Sequence, residues 1–367
     1  MSCDLLSLAT TGVSGLQPYS PGKPMTELQR ELGVSNIIKL ASNENPLGPS
    51  QKVLDAIAAT TDLSRYPDGN GFELKQALAK KHDLNSDQIT LGNGSNDVLE
   101  MTARAFVTYE HEVIYSQHSF AVYPIVTQAV GAKHIVVPAL DWGHDMEAMC
   151  ASITNKTRLM FIANPNNPTG TWINKQTLRN CLESIPEHVI VLVDEAYFEY
   201  AQSEEHYPSA SQWLNDFPNL IVTRTFSKAY GLAALRVGYA LSHPDIANLL
   251  NRVRQPFNNN QLALVAAEVA LSDSDYIEKS VKTNFEGMQY LTNSFDDMGL
   301  EFIPSMGNFV CIDFEQDAES INQSLLEAGV IVRPVANYGM PNFLRVSIGT
   351  EAENQKFIHE LGRILAA

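Results

Sequence analysis

The sequence predicts an α/β protein with a large, mostly parallel sheet, followed by a smaller α+β unit. Between residues 112 and 222, short apolar runs alternate with segments of helical spacing, a pattern typical of parallel strands covered by helices on both faces. The spacing is largely helical from residue 244 to 297, and strands and helices then alternate to the end of the chain. A chain of 367 residues is long enough for two domains, one of them large.

The composition indicates a soluble globular protein, with 44% hydrophobic and 18% charged residues. The net charge of −17 argues against nucleic acid or an anionic membrane as the main partner, because no basic run offsets it. The cysteines form no C-x-x-C pair and the histidines show no metal-ligand spacing, so we expect reduced thiols and no metal site. No long apolar run or signal sequence is evident, and we therefore expect a cytoplasmic protein. The cysteines are Cys3, Cys150, Cys181 and Cys311.

Residues 1–35 are predicted to form an N-terminal arm. Its segment Leu16–Pro24 contains three prolines and a glycine, which prevent a continuous helix and favour an extended conformation. A short strand at Ile37–Leu40 then runs into a polar loop. Helices are expected at residues 50–60 and Phe72–Lys81.

A glycine-rich turn, Gly92–Asp97, precedes a predicted helix at Val98–Phe106. Such a turn presents free backbone N–H groups that suit a phosphate, with Ser95 as the expected helix cap. Many glycine turns bind nothing, and Asp97 would repel an anion unless it is turned away. The turn alone therefore leaves both interpretations open.

Three of the predicted strands end in polar segments. Ligands of parallel sheets bind beyond the carboxyl ends of the strands, so these segments are expected to converge on one crevice. They are Asn164–Gly170, Asp194–Tyr197 and Thr225–Arg236. The apolar runs themselves are Val113–Tyr115, Ile135–Val137, Leu159–Ile162, Val189–Val193 and Leu220–Val222.

The segment Thr225–Arg236 carries a single lysine among hydroxyls and small residues. An amine that is held in place and partly deprotonated can form a Schiff base with an aldehyde. A phosphorylated aldehyde also needs cationic and hydroxyl donors for its phosphate. Lys228 suits the first task, and Thr225, Ser227 and Arg236 suit the second. A surface loop with a solvated lysine is the alternative that this segment alone leaves open.

The region after residue 244 completes the domain prediction. A break at Gln255–Asn260 separates helical segments, and we expect it to divide a large domain, residues 36–257, from a small domain, residues 258–367. The small domain is predicted to be an α+β unit. Its expected strands are Glu301–Ile303, Asn308–Phe314, Val330–Val332 and Phe343–Ile348, and its expected later helices are Ala318–Ala328 and Glu351–Ala366.

With these motifs in order, the chain from about residue 16 to its end resembles the pyridoxal-phosphate-dependent aminotransferases of fold type I. The branch that it resembles is that of the histidinol-phosphate aminotransferases, because of Leu16–Pro24, Asn43–Pro46, Thr225–Gly231 and Leu344–Gly349. The resemblance implies a seven-stranded sheet in the large domain, pyridoxal 5′-phosphate as cofactor and a homodimer. The implied substrates are histidinol phosphate with 2-oxoglutarate, in histidine biosynthesis.

The resemblance also implies roles for residues around the cofactor ring. Lys228 would hold the cofactor and move a proton between the substrate carbon and the cofactor's C4′, and Asp194 would pair with the pyridine nitrogen. Tyr197 and Asn167 would bond the phenolic oxygen, and Phe120 would stack on the ring without the hydroxyl that is often found there. A helix cap at Asp194, a core aromatic at Tyr197 and a turn residue at Asn167 are the competing interpretations.

Around the phosphate, the resemblance implies a set of N–H, hydroxyl and guanidinium donors. One of them, Tyr66, would reach across from a partner subunit, although a turn tyrosine that packs within its own chain is the alternative. The set is Ser95, Asn96, Thr225, Ser227, Arg236 and Tyr66.

For the substrate, Arg345 would bind the carboxylate of glutamate or the phosphate of histidinol phosphate. A charge between apolar strand residues favours an anionic partner. Arg333 and Tyr19 would add to the phosphate site, with a surface salt bridge as the alternative for Arg333. Asn43 and Glu44 are candidates to sense the imidazole or to close over the site.

Two alternative functions stay open at this stage. The first keeps the cofactor and changes the substrate, as in an aromatic amino acid aminotransferase or a decarboxylase of a phosphorylated amino acid. The second is a non-catalytic sensor or scaffold, which predicts loss of the chemical residues. Lys228, Asp194, Tyr197 and Arg236 are all present, which argues against it.

Overall fold

A mixed sheet organises the larger part of the molecule. The computed structural model describes residues 5–19 and 21–366, so Cys3 and Ser20 lie outside the described residues. In these ranges the strands are β1 Ile38–Lys39, β2 Ile89–Gly92, β3 Glu112–Ser116, β4 Lys133–Val137, β5 Thr157–Ala163, β6 Ile190–Asp194, β7 Leu220–Thr225, β8 Gly238–Ser242, β9 Glu301–Ile303, β10 Phe309–Asp313, β11 Val330–Ile331, β12 Arg333–Pro334 and β13 Phe343–Ser347.

The α-helices of the same ranges include every helix predicted from the sequence. They are α1 Thr11–Ser14, α2 Met25–Leu32, α3 Gln51–Ala59, α4 Phe72–His82, α5 Ser95–Phe106, α6 Val122–Ala129, α7 Met146–Ala151, α8 Lys175–Ser184, α9 Phe198–Ala201, α10 Pro244–Val253, α11 Gln261–Ser272, α12 Ser274–Met298, α13 Glu319–Glu327 and α14 Glu351–Leu365. Short 3-10 helices are found at Leu5–Leu8, Ser86–Gln88, Ala210–Trp213, Ala233–Leu235 and Ala336–Tyr338.

The large sheet has seven strands in the order β2-β8-β7-β6-β5-β3-β4. Strand β8 runs antiparallel to both of its neighbours, β2 and β7, whereas the other neighbouring pairs are parallel. The prediction of a mostly parallel, seven-stranded sheet is confirmed.

Helices cover both faces of this sheet, which explains its continuous apolar strands. Val191 and Val193 of β6 pack on one face in a cluster that includes side chains of α3, α4, α7, α8 and α11. Ile190 and Leu192 point to the opposite face and pack with α5, α6 and α10. Because successive side chains of a strand alternate between faces, a strand buried on both sides must be apolar throughout.

The C-terminal unit contains an antiparallel sheet in the order β12-β13-β10-β9. Val310 and Val346 of this sheet pack against α12, α13 and α14, through a cluster that includes Phe295 and Phe357. Arg345 neighbours Val346 on β13 and therefore points away from that cluster. The alternation thus places a charged side chain on the face that looks toward the large sheet.

The N-terminal segment differs from the predicted extended arm because it contains the 3-10 helix Leu5–Leu8, α1 and the longer α2. Residues 25–32 form α2, which buries Leu28 against Ala41 and Ile331. The last of the three prolines, Pro24, is the N-cap of this helix. All three therefore precede α2 and do not interrupt it. Residues 16–19 and 21–24 form no helix or strand, as the prolines predict, whereas the prediction of an extended arm was wrong for residues 25–32.

The domain bounds 36–257 and 258–367 stay a prediction. Side chains of α11 pack in the cluster of the large sheet, whereas Ile38 and Leu40 pack in the cluster of the small one. Strand β1 also pairs with β11.

Across residues 5–19 and 21–366, none of the helices combines the length and apolar character needed to cross a membrane. Those ranges also hold no group of three or more His, Cys, Asp or Glu arranged to bind a metal ion.

Candidate active site

One cavity lies at the carboxyl ends of β5, β6 and β7, facing the sheet of the small domain. Ala163, Asp194 and Thr223 are register partners on these three neighbouring strands, so the loops that follow open on the same side. The predicted residues that line this cavity are Tyr19, Asn43, Ser95, Asn96, Phe120, Asn167, Asp194, Tyr197, Thr225, Ser227, Lys228, Arg236, Arg333 and Arg345.

Asp194 is buried at the end of β6, with a hydroxyl donor on each carboxylate oxygen. Tyr123 Oη donates to Oδ2 at 3.1 Å, and Thr223 Oγ1 donates to Oδ1 at 2.9 Å. Burial raises the pKa of Asp194 to about 6, while hydrogen bonds from Thr223, Tyr123 and the Ala196 N–H oppose the rise. The carboxylate is therefore ionised at neutral pH, and its direction is fixed.

Lys228 projects into the same cavity from the loop after β7. Its Nζ donates to the carbonyl oxygen of Ser42 at 3.2 Å and lies 5.6 Å from the centre of the Tyr197 ring. Burial, together with the positive charges of Arg345 and Arg236, lowers the pKa of Lys228 to about 7, against an opposing effect of Glu44 and Asp194. A large share of the amine is therefore unprotonated, and thus nucleophilic, near neutral pH.

The N-terminus of α5 and Arg236 form a cluster of hydrogen-bond donors for an anion at one end of the cavity; we call it the anion-donor cluster. Arg236 NH1 donates to Ser227 Oγ at 3.2 Å, and the Ser227 N–H donates to Thr225 Oγ1 at 3.1 Å. Gly94 has φ of 81°, and a Cβ built there would lie 2.4 Å from Arg236 NH2. Glycine is therefore required for the guanidinium to reach the helix N-terminus, where backbone N–H groups also attract anions.

At this anion-donor cluster, one prediction from the sequence was wrong, and one question that the sequence left open is answered. Ser95 is the first residue of α5 rather than its cap, because Gly94 holds the cap position and makes no side-chain cap bond; the prediction of a Ser95 cap was wrong. Asp97 Oδ2 accepts from the Asn93 N–H at 2.8 Å and from Asn258 Nδ2 at 2.7 Å. These two bonds hold the Asp97 carboxylate on its own partners, so that it is turned away from an anion at this turn.

A polar network joins the two domains at the other side of the cavity. Asn43 Nδ2 donates to Tyr197 Oη at 2.9 Å, and Ser347 Oγ donates to Asn43 Oδ1 at 3.0 Å. Burial raises the pKa of Tyr197 above its ordinary value, so its hydroxyl keeps its proton. Asn43 takes φ of 54°, a left-handed conformation that asparagine tolerates better than most residues.

Arg345 reaches this network from β13 and is 6% exposed. Its NH1 donates to Asn167 Oδ1, and its NH2 donates to the carbonyl oxygen of Ala41 at 2.8 Å. Its Nε is buried without a hydrogen-bond partner. Arg345 as a whole lines the cavity, and a guanidinium there is a strong partner for an anion.

Arg333 and Tyr19 stand together at the cavity wall, with the Arg333 guanidinium 5.9 Å from the centre of the Tyr19 ring. Tyr19 is half-exposed, and it belongs to the segment that the prolines keep extended. Phe120 meets Tyr123 edge to face, with 5.9 Å between the ring centres, beside the hydroxyl that donates to Asp194. The cavity thus has cationic groups at two separate places.

Two predicted residues do not line the cavity of this chain. Tyr66 is 81% exposed and stacks on Phe257 at 4.5 Å between ring centres. Glu44 forms an ion pair with Lys39 at 2.9 Å. The role of Tyr66 across a dimer stays a prediction, and the Glu44 carboxylate is held by a lysine outside the cavity.

The sequence reasoning missed Tyr123 and Thr223, although both bond Asp194. A usable signal existed for each. Thr223 precedes Thr225 by two positions on a strand, which puts both on one face. Tyr123 follows Phe120 by three positions, a helical spacing that brings side chains together.

It also missed a buried ion pair behind the site. Arg224 Nε and NH2 donate to Glu195 Oε2 at 2.9 and 2.7 Å, and both side chains are almost inaccessible. The Arg224 guanidinium covers the Phe198 ring at 3.3 Å. Because Glu195 follows Asp194 and Arg224 precedes Thr225, the pair ties together the ends of β6 and β7, where the site begins.

Comparison with known proteins agrees with this geometry. Residues 35–361 match the family described as aminotransferase class I and II. The chain is 57% identical over 369 residues to histidinol-phosphate aminotransferase 2 of Pseudomonas fluorescens, with 100% of each chain covered. It is 55% identical over 360 residues to histidinol-phosphate aminotransferase 1 of Idiomarina loihiensis, with 98% of each covered.

A solved structure is similar over nearly the whole chain. The crystal structure of histidinol-phosphate aminotransferase from Sinorhizobium meliloti in complex with pyridoxal-5′-phosphate aligns with a TM-score of 0.90 and 30% identity, covering 98% of each chain. The predicted fold type I is therefore confirmed. With a family match across most of its length and relatives this similar from end to end, the chain belongs to the class I and II aminotransferases.

Proposed function

We propose that this chain is a pyridoxal-phosphate-dependent histidinol-phosphate aminotransferase that works as a homodimer in the cytoplasm. It would interconvert histidinol phosphate and 2-oxoglutarate with imidazole acetol phosphate and glutamate, in histidine biosynthesis. The observation that carries the proposal is a single cavity lined by Lys228, Asp194 and three arginines. The printed names of relatives at 55% and 57% identity supply the substrate.

The residues present fit pyridoxal phosphate. The anion-donor cluster formed by the α5 N-terminus, Ser227 and Arg236 suits a phosphate, and the glycine at position 94 leaves room for the guanidinium there. Bound there, the cofactor would supply an aldehyde that captures amines and a ring that withdraws electrons. With a pKa of about 6, Asp194 is mostly ionised at neutral pH, which suits a protonated pyridine nitrogen.

Lys228 has the properties of a proton carrier at this position. An amine with a pKa of about 7 can both accept and release a proton at neutral pH, which is the condition for general acid–base catalysis. Lys228 would hold the cofactor through its amine and would carry the proton that leaves the substrate α-carbon. Tyr197 and Asn167 would donate to the phenolic oxygen, with Asn43 and Arg345 fixing their orientation.

The arginines support a substrate that carries an anionic group away from its amine. Arg345 lines the cavity with its guanidinium, and Arg333 adds a second cation beside Tyr19. A phosphate in one half-reaction and a carboxylate in the other would use the same cationic region. Phenylalanine offers no phosphate for these donors, so it would bind more weakly.

The direct test compares substrates on the purified protein loaded with pyridoxal phosphate. We expect kcat/KM for histidinol phosphate to exceed that for phenylalanine at least tenfold, with 2-oxoglutarate as acceptor, which corresponds to about 1.4 kcal/mol. A preference for phenylalanine would defeat the proposed substrate while leaving the aminotransferase assignment intact. In Arg333→Gln, the KM for histidinol phosphate should rise, whereas the surface substitution Arg363→Gln should leave it unchanged.

The homodimer proposal concerns Tyr66, which is too exposed to serve its own site. Tyr66 and Phe257 form a stacked pair on the surface, and exposed aromatic pairs of this kind are frequent at protein interfaces. Tyr66 would extend from one subunit to the cofactor phosphate of the other. The two sites of a dimer would then depend on each other.

A further inference from the structure

Two cysteines meet between helices on the face of the large sheet that carries α7 and α8. Cys150 belongs to α7 and Cys181 to α8, and their Sγ atoms lie 2.7 Å apart. The sulfurs of a disulfide are separated by about 2.05 Å, so an approach of well under ~1 Å would allow the bond to form. Both residues are free thiols in this structure.

The environments of the two thiols differ in a way that suits sequential chemistry. Cys150 is half-buried, and the hydrogen bond from Cys181 lowers its pKa to about 7, with Ser184 contributing. Cys181 is buried, and the same hydrogen bond together with burial raises its pKa. Thiolate character and access decide which cysteine an oxidant attacks first. Cys150 is therefore the attacking sulfur and Cys181 the resolving one.

From this geometry we propose that Cys150 and Cys181 are an oxidisable dithiol site, which forms a reversible disulfide when the protein meets a peroxide. The Cys150 thiolate attacks one peroxide oxygen, giving a sulfenic acid, and the other oxygen leaves as hydroxide. The Cys181 sulfur then attacks the Cys150 sulfur, so that the S–S bond forms and the sulfenic oxygen leaves as water. That water takes the Cys181 proton, and the proton that Cys150 released on becoming a thiolate neutralises the hydroxide. In total, two thiols are oxidised and one hydrogen peroxide is reduced to two waters.

The bond would enclose part of the active-site wall. Cys150 and Cys181 are 31 positions apart, and the segment between them holds β5 and the turn Asn164–Gly170, including Asn167 at the cavity. A cross-link over this segment restricts the unfolded chain more than the folded one, and it therefore stabilises the oxidised protein. This proposal goes beyond the transamination and does not depend on the substrate.

The test uses the full-length protein treated with hydrogen peroxide, alkylated and digested without reductant. We expect a peptide pair linked through Cys150 and Cys181, lighter by two hydrogen atoms than the reduced pair and separated by dithiothreitol. The oxidised protein should also melt at a higher temperature than the reduced protein. Cys311, which is buried and donates to the Pro168 carbonyl oxygen, is the matched control, because Cys311→Ser should leave the linked pair and the melting shift unchanged.

Two further outcomes decide the assignment. In Cys181→Ser, Cys150 should stop at the sulfenic acid and become trapped by dimedone, which would support the order of attack. If wild-type protein instead accumulates sulfinic acid at Cys150, forms links only between subunits, or yields no Cys150–Cys181 peptide at any peroxide concentration, the proposal is overturned. The wild-type peptide map decides the case even if a variant fails to fold.

Discussion

The carboxylate of Asp194 is expected to lower the stability of the cofactor-free protein, so Asp194→Asn should stabilise that form. Burial is the first cause of the raised pKa, about 6 against an ordinary 3.8. Asparagine has nearly the same shape and can keep hydrogen bonds with both Tyr123 and Thr223, because hydroxyls donate or accept. The substitution therefore removes a buried charge without emptying space.

The magnitude follows from the pKa difference. Below pH 3.8 the carboxyl is protonated in both the folded and unfolded chains, and the group has no effect on stability. As the pH rises to 6, the unfolded chain ionises first, so stability falls, and above pH 6 the loss is complete. A shift of about 2.2 pKa units, at about 1.36 kcal/mol each, gives about 3 kcal/mol at pH 8 and about half of that at pH 5.

Urea denaturation of the cofactor-free wild type and of Asp194→Asn, at pH 5 and pH 8, measures this difference. We expect the variant to be more stable at both values, with the larger gain at pH 8, and to bind pyridoxal phosphate more weakly. Asp87→Asn, on an exposed 3-10 turn, is the control and should change stability by less than ~0.5 kcal/mol. A variant that is less stable at pH 8, or whose gain is larger at pH 5, would refute the reasoning.

Three further predictions concern other parts of the site. Because the pKa of Lys228 is about 7, the rate at which cofactor-free protein captures pyridoxal phosphate should rise through pH 7 and level off, and a rate still climbing above pH 9 would contradict this. Arg224→Met strands the buried Glu195 and should lower the free energy of unfolding by about 3 to 5 kcal/mol, measured by denaturant titration; a loss below ~1 kcal/mol would contradict the tight pairing. Dimers that combine one Lys228→Ala chain with one Tyr66→Ala chain should regain about half of the wild-type activity, since one site then has both native residues. No recovery would mean that Tyr66 acts within its own chain.

The sequence predicted the sheet and the convergence of its loops because both follow from local rules. Alternating apolar runs identify strands buried on both faces, and the carboxyl-end rule then assigns the polar segments that contain Asp194 and Lys228 to one crevice. The C-terminal strands and helices were predicted nearly to the residue, because their apolar periodicity is regular. Helix α2 was missed because the prolines that precede it were taken to exclude helices from the whole arm.

What the sequence could not provide is the pairing of polar groups that lie far apart in the chain. Arg345 meets Asn167 across 178 positions, and Asn43 meets Ser347 across 304. No local pattern specifies such partners, because they depend on how the two sheets face each other. The Arg224–Glu195 pair was missed for a related reason: each residue is next to a candidate site residue, Thr225 or Asp194, and its side chain points to the other side.

The most direct test of the account locates the cofactor on the chain. Purified protein loaded with pyridoxal phosphate is reduced with borohydride, digested and mapped by mass spectrometry. We expect a pyridoxyl group on the peptide that contains Lys228, and the loss of both this label and the visible absorbance band in Lys228→Ala. A label on another lysine, or unchanged absorbance and turnover in Lys228→Ala, would contradict it.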